Sequence, residues 1–263
     1  MLDILGFRRM VQTRRLRELT RDVERLFNAA KPAEAEFHFH MADGGLGTES
    51  LTLGRLHFSD TIMLWTPRFN PANPDLNAEM FSHICRSVSN LIALALINGI
   101  PLRGGLAGGE CYIDPVKQIV VGQPIVDAYL LEREQEWLGA AISMQRVRAP
   151  SGFGGFGEPL VQYAVPTKTP VPPDQLLAVD WTGIARMPEA MTRQLWKINA
   201  RIETERALAE GAKLSEATDF HQKWKNATDF YTVQLQRQAD RWMAIRPKAK
   251  GSGKAAPQPR TKR

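Results

Sequence analysis

Two carboxylates stand at the edges of apolar runs: Asp3 in Asp3-Ile4-Leu5-Gly6-Phe7, and Asp60 in Phe58-Ser59-Asp60-Thr61-Ile62. A buried acid is costly unless it is paired or metal-bound. Carboxylate oxygens held this way suit hard divalent cations beside a triphosphate. Asp3 ends a short apolar strand that runs through Gly6 into a helical pattern, so backbone N–H groups follow the acid where phosphates can sit. A third string, Leu102-Arg103-Gly104-Gly105-Leu106-Ala107-Gly108-Gly109, adds a cation. Small residues after Arg103 leave its guanidinium room to reach a phosphate or a base carbonyl, and an ion pair with one of the acids is the structural alternative. Together the three strings point to metal-dependent nucleotidyl chemistry. His38, His40 and His57 lie in strand-like runs without zinc-site spacing and read as sheet residues.

These residues need a sheet to bring them together. Residues 2–7 read as the end of a strand, and so little precedes Asp3 that the strand is either unusually short or begins upstream. Leu16, Leu19, Val23, Leu26 and Phe27 recur at helical steps and predict one amphipathic helix over 8–30, its arginines forming a solvated outer face. Residues 36–41 alternate as a strand does, and Asp43-Gly44-Gly45 is a turn. Residues 51–65 are β-prone, broken only at Ser59-Asp60 by a turn or bulge, and a proline-rich loop covers 66–74. A helix over 77–98 closes at Asn98-Gly99. Strands follow over 100–113 and 118–121, joined by an Asp114-Pro115 turn, and then a helix over 124–137. Residues 149–183, rich in Gly and Pro, carry short strands near 161–165 and 176–181. Helices resume over 188–245, where Met191, Leu195, Ile198 and Ile202 form a stripe expected to pack on the chain's own core.

The expected fold is α+β, a βαββαβ (ferredoxin-like) antiparallel sheet with helices on one face, plus a C-terminal helical extension. The expected organisation is a catalytic domain over 1–185, a helical extension over 186–245 and a disordered basic tail over 246–263.

At 263 residues, 43% apolar and 24% charged, the chain has the size and composition of one globular core with an appendage. The seven cations of the tail exceed the whole net charge of +6, leaving residues 1–245 at −1. A nucleic-acid-binding body is therefore not expected, and the tail reads as solvated. Cys85 and Cys111 lack CxxC or Cys/His spacing and read as reduced structural thiols of a cytosolic protein. The longest apolar run, 88–97, is too short to cross a bilayer. An N-terminus carrying Asp3 and arginines is unlike a signal peptide. A cytoplasmic protein is expected, without membrane or specific nucleic-acid partners.

Asp3-Ile4-Leu5-Gly6-Phe7, Phe58-Ser59-Asp60-Thr61, Leu102-Arg103-Gly104-Gly105 and Val121-Gly122-Gln123-Pro124 follow the order found in class III nucleotide cyclases. The chain most closely resembles the bacterial Pycsar pyrimidine nucleotide cyclases of antiphage defence, from Asp3 to about Trp137 and more weakly around Val179-Asp180-Trp181. The resemblance implies that Asp3 and Asp60 bind two divalent metal ions, Mn²⁺ or Mg²⁺, with Ile4 lending a backbone carbonyl. It implies that Leu5, Gly6 and Phe7 cradle the β- and γ-phosphates, that Leu56 faces the base, and that Ser59 and Arg103 belong to the nucleotide site, Arg103 helping to neutralise the departing pyrophosphate. The implied substrate is a nucleoside triphosphate, UTP before CTP, cyclised to the 3′,5′-mononucleotide. A homodimer with active sites at its interface and a separate cyclic-nucleotide-activated effector are also implied.

Where class III purine cyclases carry an Asn and an Arg on the helix after the Val121-Gly122 strand, this chain holds Val126 and Leu130, which favours the pyrimidine branch. Leu56 cannot hydrogen-bond a base, so selectivity falls to Arg103, backbone groups or pocket size. Two other readings stand beside this one. The first is a non-catalytic nucleotide- or RNA-binding βαββαβ module, which the missing RNP-like aromatic pair disfavours. The second is a purine cyclase, or an enzyme joining two nucleotides.

Overall fold

The computed structural model describes residues 1–29, 35–40, 46–67, 69, 73–143, 159–172, 174–196, 198–216 and 218–245. In chain order the elements are β1 (Leu2–Ile4), α1 (Phe7–Thr13), α2 (Leu16–Ala29), β2 (Ala35–His40), β3 (Leu46–Leu51), β4 (Gly54–Phe58), β5 (Thr61–Trp65), α3 (Pro74–Ile97) and β6 (Leu102–Leu106). Then come β7 (Tyr112–Asp114), β8 (Ile119–Val121), α4 (Gln123–Glu134), β9 (Gly139–Ser143), β10 (Leu160–Val161) and β11 (Leu176–Val179). A 3-10 helix (Trp181–Arg186) leads to α5 (Glu189–Trp196), α6 (Ala200–Ser215) and α7 (His221–Ile245). The expected turn at Asp43-Gly44-Gly45 and the basic tail lie outside the described residues.

Seven strands form one sheet in the order β10-β11-β9-β6-β1-β5-β4, antiparallel except where β9 runs parallel to β6. The hairpins β2–β3 and β7–β8 stand apart from it. The chain is thus α+β with a mostly antiparallel sheet. Its β6-β1-β5-β4 half is built from a strand, helices, a strand pair, a helix and a strand, with β2–β3 inserted before the pair. Ser59 and Asp60 form the two-residue turn between β4 and β5, since Phe58 pairs with Thr61. β9 has no counterpart in the sequence reading. Gly139-Ala140-Ala141-Ile142 is buried throughout and so lacks the alternation that marks a half-buried strand.

Leu2 and Ile4 are buried and alternate with half-buried Asp3. They join Ile62, Leu102 and Phe81, Val88, Leu91 and Ile92 of α3 in the core. The side chain of Asn73 caps α3 by accepting from the Leu76 N–H at 3.0 Å, and Pro74 opens it without needing a donor. α3 is the one described helix long and apolar enough to cross a membrane, and 61% of its most apolar stretch is buried in this core.

Not all helices share that face. A Cβ on Gly104 would enter the Leu2 side chain, whereas one on Gly105 would stand 2.3 Å from the Ala128 carbonyl of α4. Neighbouring strand residues point to opposite faces, so α4 lies across the sheet from the Leu2 side. The helix expected over 8–30 is two helices, because Arg14 is extended (ψ 152°) and its guanidinium bonds Asp22 and the Gly99 carbonyl.

The helices after residue 186 complete the same core. Phe230 of α7 is fully buried, edge-on to Trp137 at 4.8 Å and beside Trp181. Of the expected stripe, Met191 and Ile202 are exposed and Ile198 packs against Ala93, Ile184 and Ala200, while α6 buries Ala200, Thr204, Ala207, Leu208 and Gly211. Cys85 is buried, as expected of a structural thiol, while Cys111 is exposed.

Candidate active site

β1 holds its short length by pairing on both sides. Asp3 stands opposite Thr61 of β5 and Arg103 of β6, so Phe58, Thr61, Asp3 and Arg103 form one row across four strands. Directly paired residues share a face, which is here the one α4 approaches. Asp60 joins the row from the turn: the Ile4 N–H donates to its carbonyl at 2.9 Å. Asp3 and Asp60 are therefore neighbours at one end of β1. Ser59 holds the turn with φ 56°, a left-handed conformation uncommon outside glycine.

The backbone turns sharply after Asp3. The side chains of Ile4 and Leu5 are buried in the core, and the Leu5 N–H donates to the Pro101 carbonyl at 2.9 Å. Gly6 adopts φ 71° to enter α1, a conformation that glycine reaches without steric cost. Phe7 then packs against the core. Leu56, paired with Met63 on β4, lies two residues before Phe58 and thus on the face that carries Asp3. Phe58 itself is 75% exposed.

Arg103 departs from expectation. Its Nε and Nη2 reach Glu132 Oε1 at 2.6 and 2.5 Å, and Nη1 donates to the Gln135 carbonyl at 2.8 Å. Every guanidinium nitrogen is engaged inside the fold, and the space at Gly104-Gly105, expected to free Arg103 toward a ligand, is filled by Leu2 on one face and by α4 on the other. The paired acid is neither Asp3 nor Asp60. Gln135 extends the network through donation to the Gly104 and Leu131 carbonyls and acceptance from Trp137 Nε1.

Glu132 and Gln135 were missed in the sequence reading. The signal in the sequence is an acid one helical turn after Ala128, whose carbonyl the fold sets against Gly105.

The row carries surplus negative charge. Burial pushes the Asp3 carboxyl pKa up to about 6, the charges of Glu132 and Asp60 push the same way, and Arg103 opposes them. Such a site gains from a cation. Among the described residues no three His, Cys, Asp or Glu side chains converge as a metal-binding group; what the turn brings together is the two carboxylate residues Asp3 and Asp60. A pair fits Mg²⁺ or Mn²⁺ when substrate phosphates and waters supply the other ligands.

No protein-family model, curated protein or solved structure matches this chain.

Proposed function

We propose that the protein is a class III-type nucleotide cyclase of the Pycsar kind, converting UTP, or secondarily CTP, to the 3′,5′-cyclic mononucleotide and pyrophosphate. The cyclic product would activate a separate effector in antiphage defence. The observation that carries this reading is the meeting of Asp3 and Asp60 beside the Gly6 turn, on a β6-β1-β5-β4 sheet half of βαββαβ order.

Asp3 and Asp60 would hold two divalent ions, with the Ile4 carbonyl as a further oxygen ligand. Those ions, when bound, would acidify the ribose 3′-hydroxyl and neutralise the leaving pyrophosphate. The chain's own part is placement. With the Leu5 N–H held by the Pro101 carbonyl, it is the Gly6-Phe7 part of the turn that would offer backbone N–H groups to the β- and γ-phosphates, so that the 3′-oxygen meets the α-phosphorus in line and a P–O bond forms as pyrophosphate departs. Arg103 serves this site indirectly. Bound to Glu132, it moderates the negative field on Asp3 and fixes the strand beside it. Leu56 supplies an apolar wall on the same face, and uracil selection rests on backbone groups and pocket size. The exposed Val126 and Leu130 of α4, in the places of the purine-site Asn and Arg, suit an interface between two copies of the chain.

The test is incubation of the pure protein with each NTP and Mn²⁺, products being identified by mass. Cyclic UMP is expected, and Asp60→Asn should lower its yield about 100-fold or more. No 3′,5′-cyclic mononucleotide from any NTP, or an unchanged yield from Asp60→Asn, overturns the reading. Dinucleotide products would assign nucleotidyl transfer instead.

A further inference from the structure

Residues 218–221, at the entry to α7, are held by hydrogen bonds to one another and to Ser215. Thr218 N–H and Oγ1 both donate to the Ser215 carbonyl at 2.8 Å, the Phe220 N–H donates to Thr218 Oγ1 at 3.3 Å, and the His221 N–H donates to the Thr218 carbonyl at 3.1 Å. They reach the start of the chain. Phe220 Cε2 and Cζ lie 3.9 Å from the point where a Cβ on Gly6 would stand, so the ring covers the open side of the turn after Asp3.

One helical turn further, Lys223 places its ammonium 5.5 Å from the centre of the Phe220 ring and 3.1 Å from Glu136 Oε2. Asn226 Nδ2 donates to the Glu136 carbonyl. Glu136 follows Gln135, whose carbonyl holds Arg103 beside Asp3. Residues 220–226 thus meet both flanks of Asp3: the Gly6 turn through Phe220, and the Arg103 side through Glu136.

We infer that residues 218–226, at the entry to α7, are a strap that positions the Gly6 turn, with Phe220 as the positioning residue and Lys223 and Asn226 as its anchor. This rests on the cyclase reading for its catalytic consequence and on geometry alone for its structural one. A turn that must hold phosphates has to be fixed in advance, and a glycine at positive φ has no side chain with which to fix itself. A bulky ring on a second element supplies that restraint. The strap sits far along the sequence from the residues it steadies, so the C-terminal helices belong to the site.

Two measurements on the full chain test this. The first is hydrogen exchange of the segment covering residues 5–10, compared between wild type, Phe220→Ala and Phe220→Leu. Exchange there should rise about tenfold in Phe220→Ala, with α3 and β9 unchanged, and Phe220→Leu should restore most of the protection. The second is turnover of UTP with Mn²⁺. KM should rise roughly tenfold in Phe220→Ala with a smaller change in kcat, and Phe220→Leu should recover it.

Unchanged exchange in residues 5–10 of a folded Phe220→Ala protein overturns the strap, as does exchange that rises equally everywhere. Increased turnover also overturns it, because the ring would then be obstructing the site. If wild type makes no cyclic nucleotide, the cyclase reading fails and the exchange measurement still decides the strap. Should Phe220→Ala not fold, Lys223→Met replaces it in both measurements: it removes the Glu136 anchor, keeps the apolar stem, and should raise exchange in residues 5–10. No rise there overturns the inference.

Discussion

The ionisation of Asp3 is coupled to the fold. Its carboxyl has a pKa near 3.8 as a free side chain and about 6 in the folded protein. The folded state therefore holds this proton more tightly than the unfolded chain, so stability is lost as pH rises from about 4 through about 6 and stays lost above it. Because Asp3 is half-buried, solvent screening trims the penalty to about 1 kcal/mol, or about 2–4 °C in Tm. Asp3→Asn should melt higher than wild type at pH 8 without added metal, and the two should converge near pH 4. Mn²⁺ should raise the wild-type Tm increasingly above pH 6, as its ligand deprotonates, and should leave Asp3→Asn unmoved. Thermal unfolding across pH checks both statements, and equal melting of the two proteins at pH 8 would contradict the burial argument. Asp3 and Asp60 were legible in the sequence because acids beside apolar runs are conspicuous. The partner of Arg103 was not, since Glu132 lies 29 residues away on another element and only folding brings them together.

At the scale of elements, the contact between α4 and β6 sets the side of the sheet on which Arg103 is engaged. Gly105 permits it: an added methyl would meet the backbone carbonyl of Ala128, which cannot step aside as a side chain could. Gly105→Ala should cost about 1–3 kcal/mol by overpacking and loosen the Arg103–Glu132 pair. Gly183→Ala is the control, because its methyl would meet only the Arg186 Nη2 at 3.9 Å. A Gly105→Ala protein that melts with wild type would remove the close-approach argument. Local signals found α3, its Asn98-Gly99 end and the Ser59-Asp60 turn, since caps, turn residues and periodicity act within a few residues. They missed β9, which has no alternation to read, and they ran α1 and α2 together because the break at Arg14 depends on the distant Gly99 carbonyl. They also took Gly104-Gly105 as room for a guanidinium, because glycine in a strand announces a close approach without saying what approaches.

At the scale of the whole molecule, the described residues leave an apolar face of α4 uncovered. Val126, Tyr129 and Leu130 share a side of α4 at i, i+3 and i+4, exposed by 49, 43 and 54%. Tyr112 and Val121, paired in the β7–β8 hairpin that leads into α4, are exposed as well. An apolar group of this kind is a candidate association surface. A second copy of the chain is the partner that fits the proposed function, since a twofold axis through α4 would set the same patch against itself near the row that carries Asp3. Leu130→Asp then separates association from folding. The position is exposed, so the variant should melt within about 0.5 kcal/mol of wild type, yet a charge on each side of a self-complementary contact should split the dimer. Sedimentation should find wild type dimeric and Leu130→Asp monomeric at the same concentration, with cyclic nucleotide synthesis lost alongside the dimer. A monomeric wild type that still turns over UTP would place the complete site within one chain, and a dimeric Leu130→Asp would move the interface to another face.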